Sequence, residues 1–189
     1  MRSIYYPLEV PSYCEKTVAR IIRGLFEIPR AGFKDRGVKN PESVGEHTDS
    51  VILLAEELYS SMKGLTTLVK IHDWAELLTG DRRTDHLASQ ENRITKERKK
   101  TLELNAMEMM CGELGSYGEE IFALWDEYET GETRRAQVAQ QLDHAQAILK
   151  ASEYEQAGQP VVASEFYDYY KDSITELTII KKLSEAGFG

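Results

Sequence analysis

Cysteine is scarce in this chain: Cys14 and Cys111 are the two in 189 residues and they form no CxxC pair. That excludes a disulfide framework and leaves reduced thiols as the expectation, neither with neighbours that would make it a nucleophile. No run approaches the roughly 18 to 20 uninterrupted apolar residues of a membrane span. The N-terminal MRSIYYPLEVPSYCEK lacks a basic segment followed by an apolar one, so a cytoplasmic location without membrane partners is expected. Positive charge is short as well, with 23 Lys and Arg against 32 Asp and Glu and a formal charge of -9. Such a balance argues against binding a nucleic-acid polymer through its backbone. A small phosphorylated ligand stays possible, because local charges act at contact distance whatever the net charge, which is screened beyond about 8 to 10 Å.

Alternating apolar and polar runs long enough for core strands are also missing, and what the chain has in their place is helical periodicity. With 41% hydrophobic and 29% charged residues, this predicts one soluble all-α domain over residues 1–189. A first helix runs from Pro11 to about residue 28, with Val18, Ile21, Ile22, Leu25 and Phe26 inward and Pro29 as its stop. A basic connector to Asn40 carries Arg30, Phe33, Lys34, Arg36 and Lys39. Pro41 opens a second helix that Gly64 closes, and a third spans Leu65 to Leu78. Residues 81–94 form a polar loop, a candidate lid. Further helices cover 95–114, 117–128 and 133–155. Gly158 and Pro160 then break the chain, and one or two helices follow over 161–186, where FYDYY at 166–170 offers aromatic packing surface. No internal repeat or linker divides the sequence.

Chemistry concentrates in few residues. His47 falls on the second helix, the pair His72-Asp73 on the third and Asp143 on a later one, and two imidazoles with two carboxylates suit a divalent metal. The dipeptide alone is weak, since composition gives it a chance of about 0.2. Its setting IHDWAELLTGD strengthens it, because Glu76 comes one turn after His72 on the same face of the third helix. Ile71, Ala75 and Leu78 bury that helix, and ionisable groups among them are costly unless paired or metal-bound. His86 lies in the lid and is expected to be exposed rather than in contact with substrate, and His144 points about 100° away from Asp143, so it is not expected to ligate the same ion. Trp125, Tyr128 and Tyr154 read as core or dimer surface.

The blocks PRAGF at 29–33, NPESVGEH at 40–47, IHDWAELLTGD at 71–81, ALWDEYET at 123–130 and QLDHAQAILKASEYE at 141–155 appear in this order. Together they make the chain resemble the HD-domain metal-dependent phosphohydrolases, in particular their 5′-deoxynucleotidase branch. The resemblance covers roughly residues 15–170. It implies an HD-domain helical bundle with core motifs over about 15–155 and C-terminal helices over 161–186. It also implies one divalent metal held by His47, His72, Asp73 and Asp143, with cobalt or manganese favoured and magnesium, iron, zinc or nickel admissible.

By the same resemblance, Glu76 is the general acid/base group and Asp81 positions the water or the 5′ oxygen, while Arg30 and Phe33 contact substrate and Arg36 has a phosphate-binding or a structural role. An arginine can grip phosphate in a fork, and an aromatic face can stack on a base or wall off the sugar. Relatives often carry tryptophan at the position of Phe33, and more apolar, proline-containing segments where this chain reads RRTDH after Asp81, so its substrate preference is expected to differ. The implied activity is hydrolysis of (deoxy)nucleoside 5′-monophosphates to nucleoside and phosphate, by a homodimer. Two alternatives stay open. One is a deoxynucleoside triphosphohydrolase or guanosine polyphosphate hydrolase on the same metal site, with Lys34, Arg82 and Arg83 as extra cations. The other is a nucleotide-sensing module without turnover.

Overall fold

The computed structural model describes residues 9–84, 88–90 and 92–189. Helices make up its regular structure, and among the described residues the only β-type pairings are the isolated bridges Pro29 to Ser43 and Arg83 to Arg93. No helix there is long and apolar enough to cross a membrane.

Helix α1 (Glu15–Leu25) buries Val18, Ile21 and Leu25. It stops before the expected residue 28, and Phe26, expected in the core, is 36% exposed. The following connector is not irregular, since it folds into a single helical turn, α2 (Ala31–Lys34). Backbone pairing fixes its entry: Arg30 N–H donates to Glu42 O at 2.9 Å and Val44 N–H to Ile28 O at 2.8 Å. This strap holds Arg30 at the mouth of the next helix.

Helix α3 (Val44–Tyr59) starts three residues after Pro41, because a capping box outweighs the proline signal. Ser43 Oγ accepts from Glu46 N–H, and Glu46 Oε2 accepts from Ser43 N–H at 2.7 Å. Gly64, at φ 77°, begins the next helix rather than ending this one.

The expected third helix is two pieces, α4 (Leu65–Ile71) and α5 (Glu76–Thr79). Their break falls on the His-Asp pair and has a local cause. The His72 imidazole Nδ1–H donates to the Val69 carbonyl at 2.7 Å, engaging the acceptor that a continuing helix would offer to residue 73. Tighter three-residue bonds then carry the chain, from Trp74 N–H to Ile71 O at 3.1 Å and from Glu76 N–H to Asp73 O at 3.0 Å. Leu78, expected inward, is 52% exposed at the end of α5.

The polar segment 81–94 is fastened rather than loose where it is described. Arg83 N–H donates to Asn92 O and Ile94 N–H to Arg83 O, and Asp35 accepts from Ser89 N–H at 2.9 Å and from Asn92 Nδ2 at 2.8 Å. His86 lies outside the described residues.

Helices α6 (Lys96–Gly112), α7 (Ser116–Thr130), α8 (Arg134–Gln156), α9 (Ala163–Tyr170) and α10 (Leu177–Glu185) complete the bundle. A Cβ at Gly118 would stand 1.9 Å from the Cys111 carbonyl oxygen, so α7 lies directly on the α6 backbone. Two apolar clusters result. One gathers Val51, Leu68, Leu142, Ile148 and Ile179, and the other Ile21, Ile71, Trp74, Met107 and Ile121. Helices α3, α4 and α8 pack against one another where the two clusters adjoin, and the acidic and imidazole side chains collect at that junction.

Candidate metal centre and substrate cleft

His47 sits one turn into α3 and is fully buried. Its Nδ1 lies 2.6 Å from Gln146 Oε1, while Gln146 Nε2 donates to Glu42 Oε2 at 3.1 Å. A carboxylate can only accept, so the amide nitrogen faces Glu42 and the amide oxygen faces His47, which must donate through Nδ1–H. His72 is fixed alike by the Val69 carbonyl. Both rings therefore turn an unprotonated Nε2 inward when neutral.

These two nitrogens and Asp73 Oδ2 lie within 4.8 Å of one another, and each is buried without a hydrogen-bond partner. Asp73 Oδ2 is 3.0 Å from His72 Nε2, and Asp143 Oδ1, from α8, is 2.9 Å from His47 Nε2. Buried polar atoms left without partners are costly in a folded protein. Two imidazole nitrogens and two carboxylates gathered in this way fit a divalent cation. The sequence-predicted set of His47, His72, Asp73 and Asp143 is thus brought together at one point. His144 is not part of it: its ring stacks on Tyr170 at 4.5 Å and its Nδ1 meets Ser173 Oγ at 2.9 Å.

Charge in the cluster is strongly correlated. Burial alone would depress His72, but Asp73 and Asp143 raise it to about 9. Burial resists ionisation of Asp73 too, yet His72, Arg30 and His47 hold it below the ordinary carboxylate range, and Asp143 is depressed chiefly through His47. Glu76 goes the other way: burial, reinforced by Asp73 and Asp81, lifts it well above the usual value against the pull of Lys99. Its Oε2 is a further buried atom without a partner.

A cleft of about 910 Å³, open to solvent, has Asp73, Asp143, Glu76, Asp81 and Arg30 among its walls. Arg30 Nη1 is 3.6 Å from Asp73 Oδ2 and its Nε 4.0 Å from Asp81 Oδ2. Burial opposes the guanidinium charge, but Asp81, Asp73 and Asp143 more than restore it. Asp81 is itself anchored, accepting from Ala31 N–H at 2.7 Å. Glu76 reaches this wall although the helix carrying it is broken, because the tight turns over 72–75 keep the chain coiling in the same sense.

Phe33 and Arg36 line the same cleft. Phe33 is 2% exposed, with Phe166 stacked on it at 5.2 Å and Tyr154 edge-on at 5.0 Å. Arg36 lies over the Phe166 ring at 4.4 Å and binds Gly32 O and Glu165.

Several partners escaped the sequence reading. Lys99 of α6 stands 3.8 Å from Glu76 Oε1 and 3.4 Å from Glu103 Oε1, and nothing in KERKK distinguishes it from its neighbours. Tyr128, expected as packing, lays its ring 5.2 Å from that of His72 and donates to Asp143 Oδ2 at 3.4 Å. Gln146 had a readable signal, as an amide three residues after Asp143 within the apolar stretch AQAIL.

Comparison with known proteins adds to this geometry. A family model described as HD domain matches residues 23–182. The chain is 32% identical over 171 residues to "5'-deoxynucleotidase HDDC2" of Homo sapiens, covering 88% of this chain and 81% of the human protein. It is 36% identical over 149 residues to the protein of the same name from Dictyostelium discoideum, covering 72% and 75% of the two. Among solved structures, a conserved hypothetical protein of Pyrococcus furiosus superposes with a TM-score of 0.67 at 28% identity over 89% of this chain and 95% of that one. A predicted metal-dependent phosphohydrolase of Magnetospirillum magnetotacticum superposes with a TM-score of 0.58 at 26% identity, over 77% and 76%.

Proposed function

The chain belongs to the HD-domain family, and we propose that it is a metal-dependent phosphomonoesterase that hydrolyses (deoxy)nucleoside 5′-monophosphates to nucleoside and orthophosphate. The observation that carries this reading is the buried cluster of His47 Nε2, His72 Nε2 and Asp73 Oδ2, with Asp73 opening on the cleft that Glu76, Asp81 and Arg30 also line. Relatives named 5′-deoxynucleotidases support it across most of the chain.

His47, His72, Asp73 and Asp143 would hold the ion, with cobalt or manganese the leading occupants and magnesium, iron, zinc or nickel possible. A divalent cation there neutralises phosphoryl charge and makes water a better nucleophile. Arg30 lies beside Asp73 and Asp81 with its charge reinforced, and it orients the phosphate through its fork. Water adds to phosphorus and the bond from phosphorus to the 5′ oxygen breaks, so that oxygen must gain a proton and the added water must lose one. Glu76, whose neutral form burial favours, gives a proton to the departing oxygen and regains one from the added water. Asp81, anchored on Ala31 N–H, aligns the water or the departing oxygen. Lys99 steadies Glu76 from the α6 side.

A monophosphate suits the cations better than a triphosphate. Arg83 is paired with Asp35 at 3.7 Å and Arg82 donates to Thr79 O, so two of the cations a longer phosphate chain would need have internal partners. The complete acid/base set argues against a sensor without turnover. We also propose that the whole chain works as one domain in the cytoplasm. It would act as a homodimer joined through α10, where Leu177 is 80% and Ile180 39% exposed, and sedimentation of Leu177→Glu against the parent tests that interface.

Phosphorus NMR of the cobalt- or manganese-loaded protein tests the reaction, using deoxynucleoside monophosphates, a deoxynucleoside triphosphate and a guanosine polyphosphate together. Orthophosphate growing at the expense of the monophosphates is the expected result. Triphosphate or pyrophosphate release would overturn it in favour of the rival hydrolases, and unchanged spectra would favour a sensor.

A further inference from the structure

Four aromatic rings line the cleft, and three of them are already in use. Phe33 is stacked against Phe166, and the Phe166 ring also carries the Arg36 guanidinium 4.4 Å from its centre. Tyr170 is stacked on His144, with ring centres 4.5 Å apart and planes 22° from parallel. Tyr169 differs from all three. It is 53% exposed, and its ring contact is a right-angle meeting with Tyr170 at 4.8 Å that leaves it without a parallel partner.

Position along the cleft matters as much as freedom. Arg30 and the carboxylates form the buried, charged floor, whereas Tyr169 is the exposed aromatic of the rim. Next to it, Tyr170 lines the same cleft. Helix α9 thus supplies one wall of the cleft, along which a ligand with its phosphate on the floor can extend. A nucleotide is built in this order, from phosphate through sugar to a flat base.

We propose that Tyr169 is the nucleobase-stacking residue of this cleft. The inference rests on the nucleotidase reading and deepens it. Because every base has a π-face, such a platform favours nucleotides over other phosphomonoesters while tolerating different bases. Purines, with the larger face, gain most.

The test compares the parent protein with Tyr169→Ala, Tyr169→Phe and Tyr169→Trp on two ligands, deoxyadenosine 5′-monophosphate and 2-deoxyribose 5-phosphate, which lacks a base. Equilibrium binding by calorimetry and phosphate release are both measured. Tyr169→Ala is expected to weaken nucleotide binding and raise its KM about tenfold with kcat within about twofold, leaving the sugar phosphate unaffected. The Phe and Trp variants should bind the nucleotide like the parent or tighter. Equal losses on both ligands, no loss on either, or no nucleotide binding by the parent would overturn the proposal. If the parent binds the nucleotide without releasing phosphate, it is the hydrolytic reading that fails, and the binding ratios still decide for or against Tyr169.

Discussion

A histidine that donates through Nδ1 has settled which nitrogen it can offer elsewhere, and both His47 and His72 are fixed in this way, by Gln146 and by the Val69 carbonyl. The roles of the surrounding residues separate experimentally. His72→Ala or Asp73→Ala is expected to abolish both bound metal and turnover. Glu76→Ala should keep the metal, measured by elemental analysis, and lose rate by about 10²-fold or more. Full activity in either ligand variant would remove that residue from the metal centre. Proton balance gives a second expectation. With the pKa of His72 raised from 6.5 to about 9 in the metal-free protein, its protonation stabilises the fold fully below about pH 6.5, and that contribution is lost as pH rises through about 9. An imidazolium cannot ligate, so metal affinity should climb across the same window, by up to about tenfold per pH unit for one displaced proton. A titration showing flat affinity between pH 6.5 and 9 would contradict the His72 assignment.

At the scale of elements, the sequence was readable wherever periodicity or a motif spoke, and opaque where a side chain captured a backbone group. The cores of α1, α3 and α8 follow apolar spacing directly, through Val18 and Ile21, Val51 and Ala55, and Leu142 and Ala145. His47, His72, Asp73 and Asp143 stood out because the blocks around them resemble a known family. The break between α4 and α5 could not be read, since a bond from His72 to Val69 leaves the hydrophobic pattern unchanged. Lys99 was hidden for the opposite reason, as one lysine among many on a charged helix. The capping box of α3 makes a quantitative expectation: Ser43→Ala loses the acceptor for Glu46 N–H and should cost about 1 kcal/mol, lowering Tm by about 2 to 4 °C. A thermal melt with no shift would show that the box contributes nothing.

For the whole molecule, the proposed ligands come from α3, from the turn between α4 and α5 and from α8, so an ion among them would tie together segments up to a hundred residues apart. An ion that binds only the folded chain stabilises it by mass action, about 2.7 kcal/mol when present at 100 times its Kd. Chelation from that condition should lower Tm by about 5 to 10 °C in the parent and by little in Asp143→Ala. Equal shifts in both would mean that the stabilising ion sits elsewhere.

The contact of Gly118 with the Cys111 carbonyl also reaches the cleft, though it lies at the far end of α6. Lys99 is twelve residues from Cys111, about 18 Å along the helix at 1.5 Å per residue. Helix α6 is thus a lever with its fulcrum on a glycine. A tilt of about 10° at that end, the kind of accommodation a single added methyl demands, would swing the Lys99 backbone by about 3 Å, comparable with its whole separation from Glu76. Room for no more than a hydrogen atom at Gly118 is thus one of the conditions under which α6 keeps Lys99 beside Glu76.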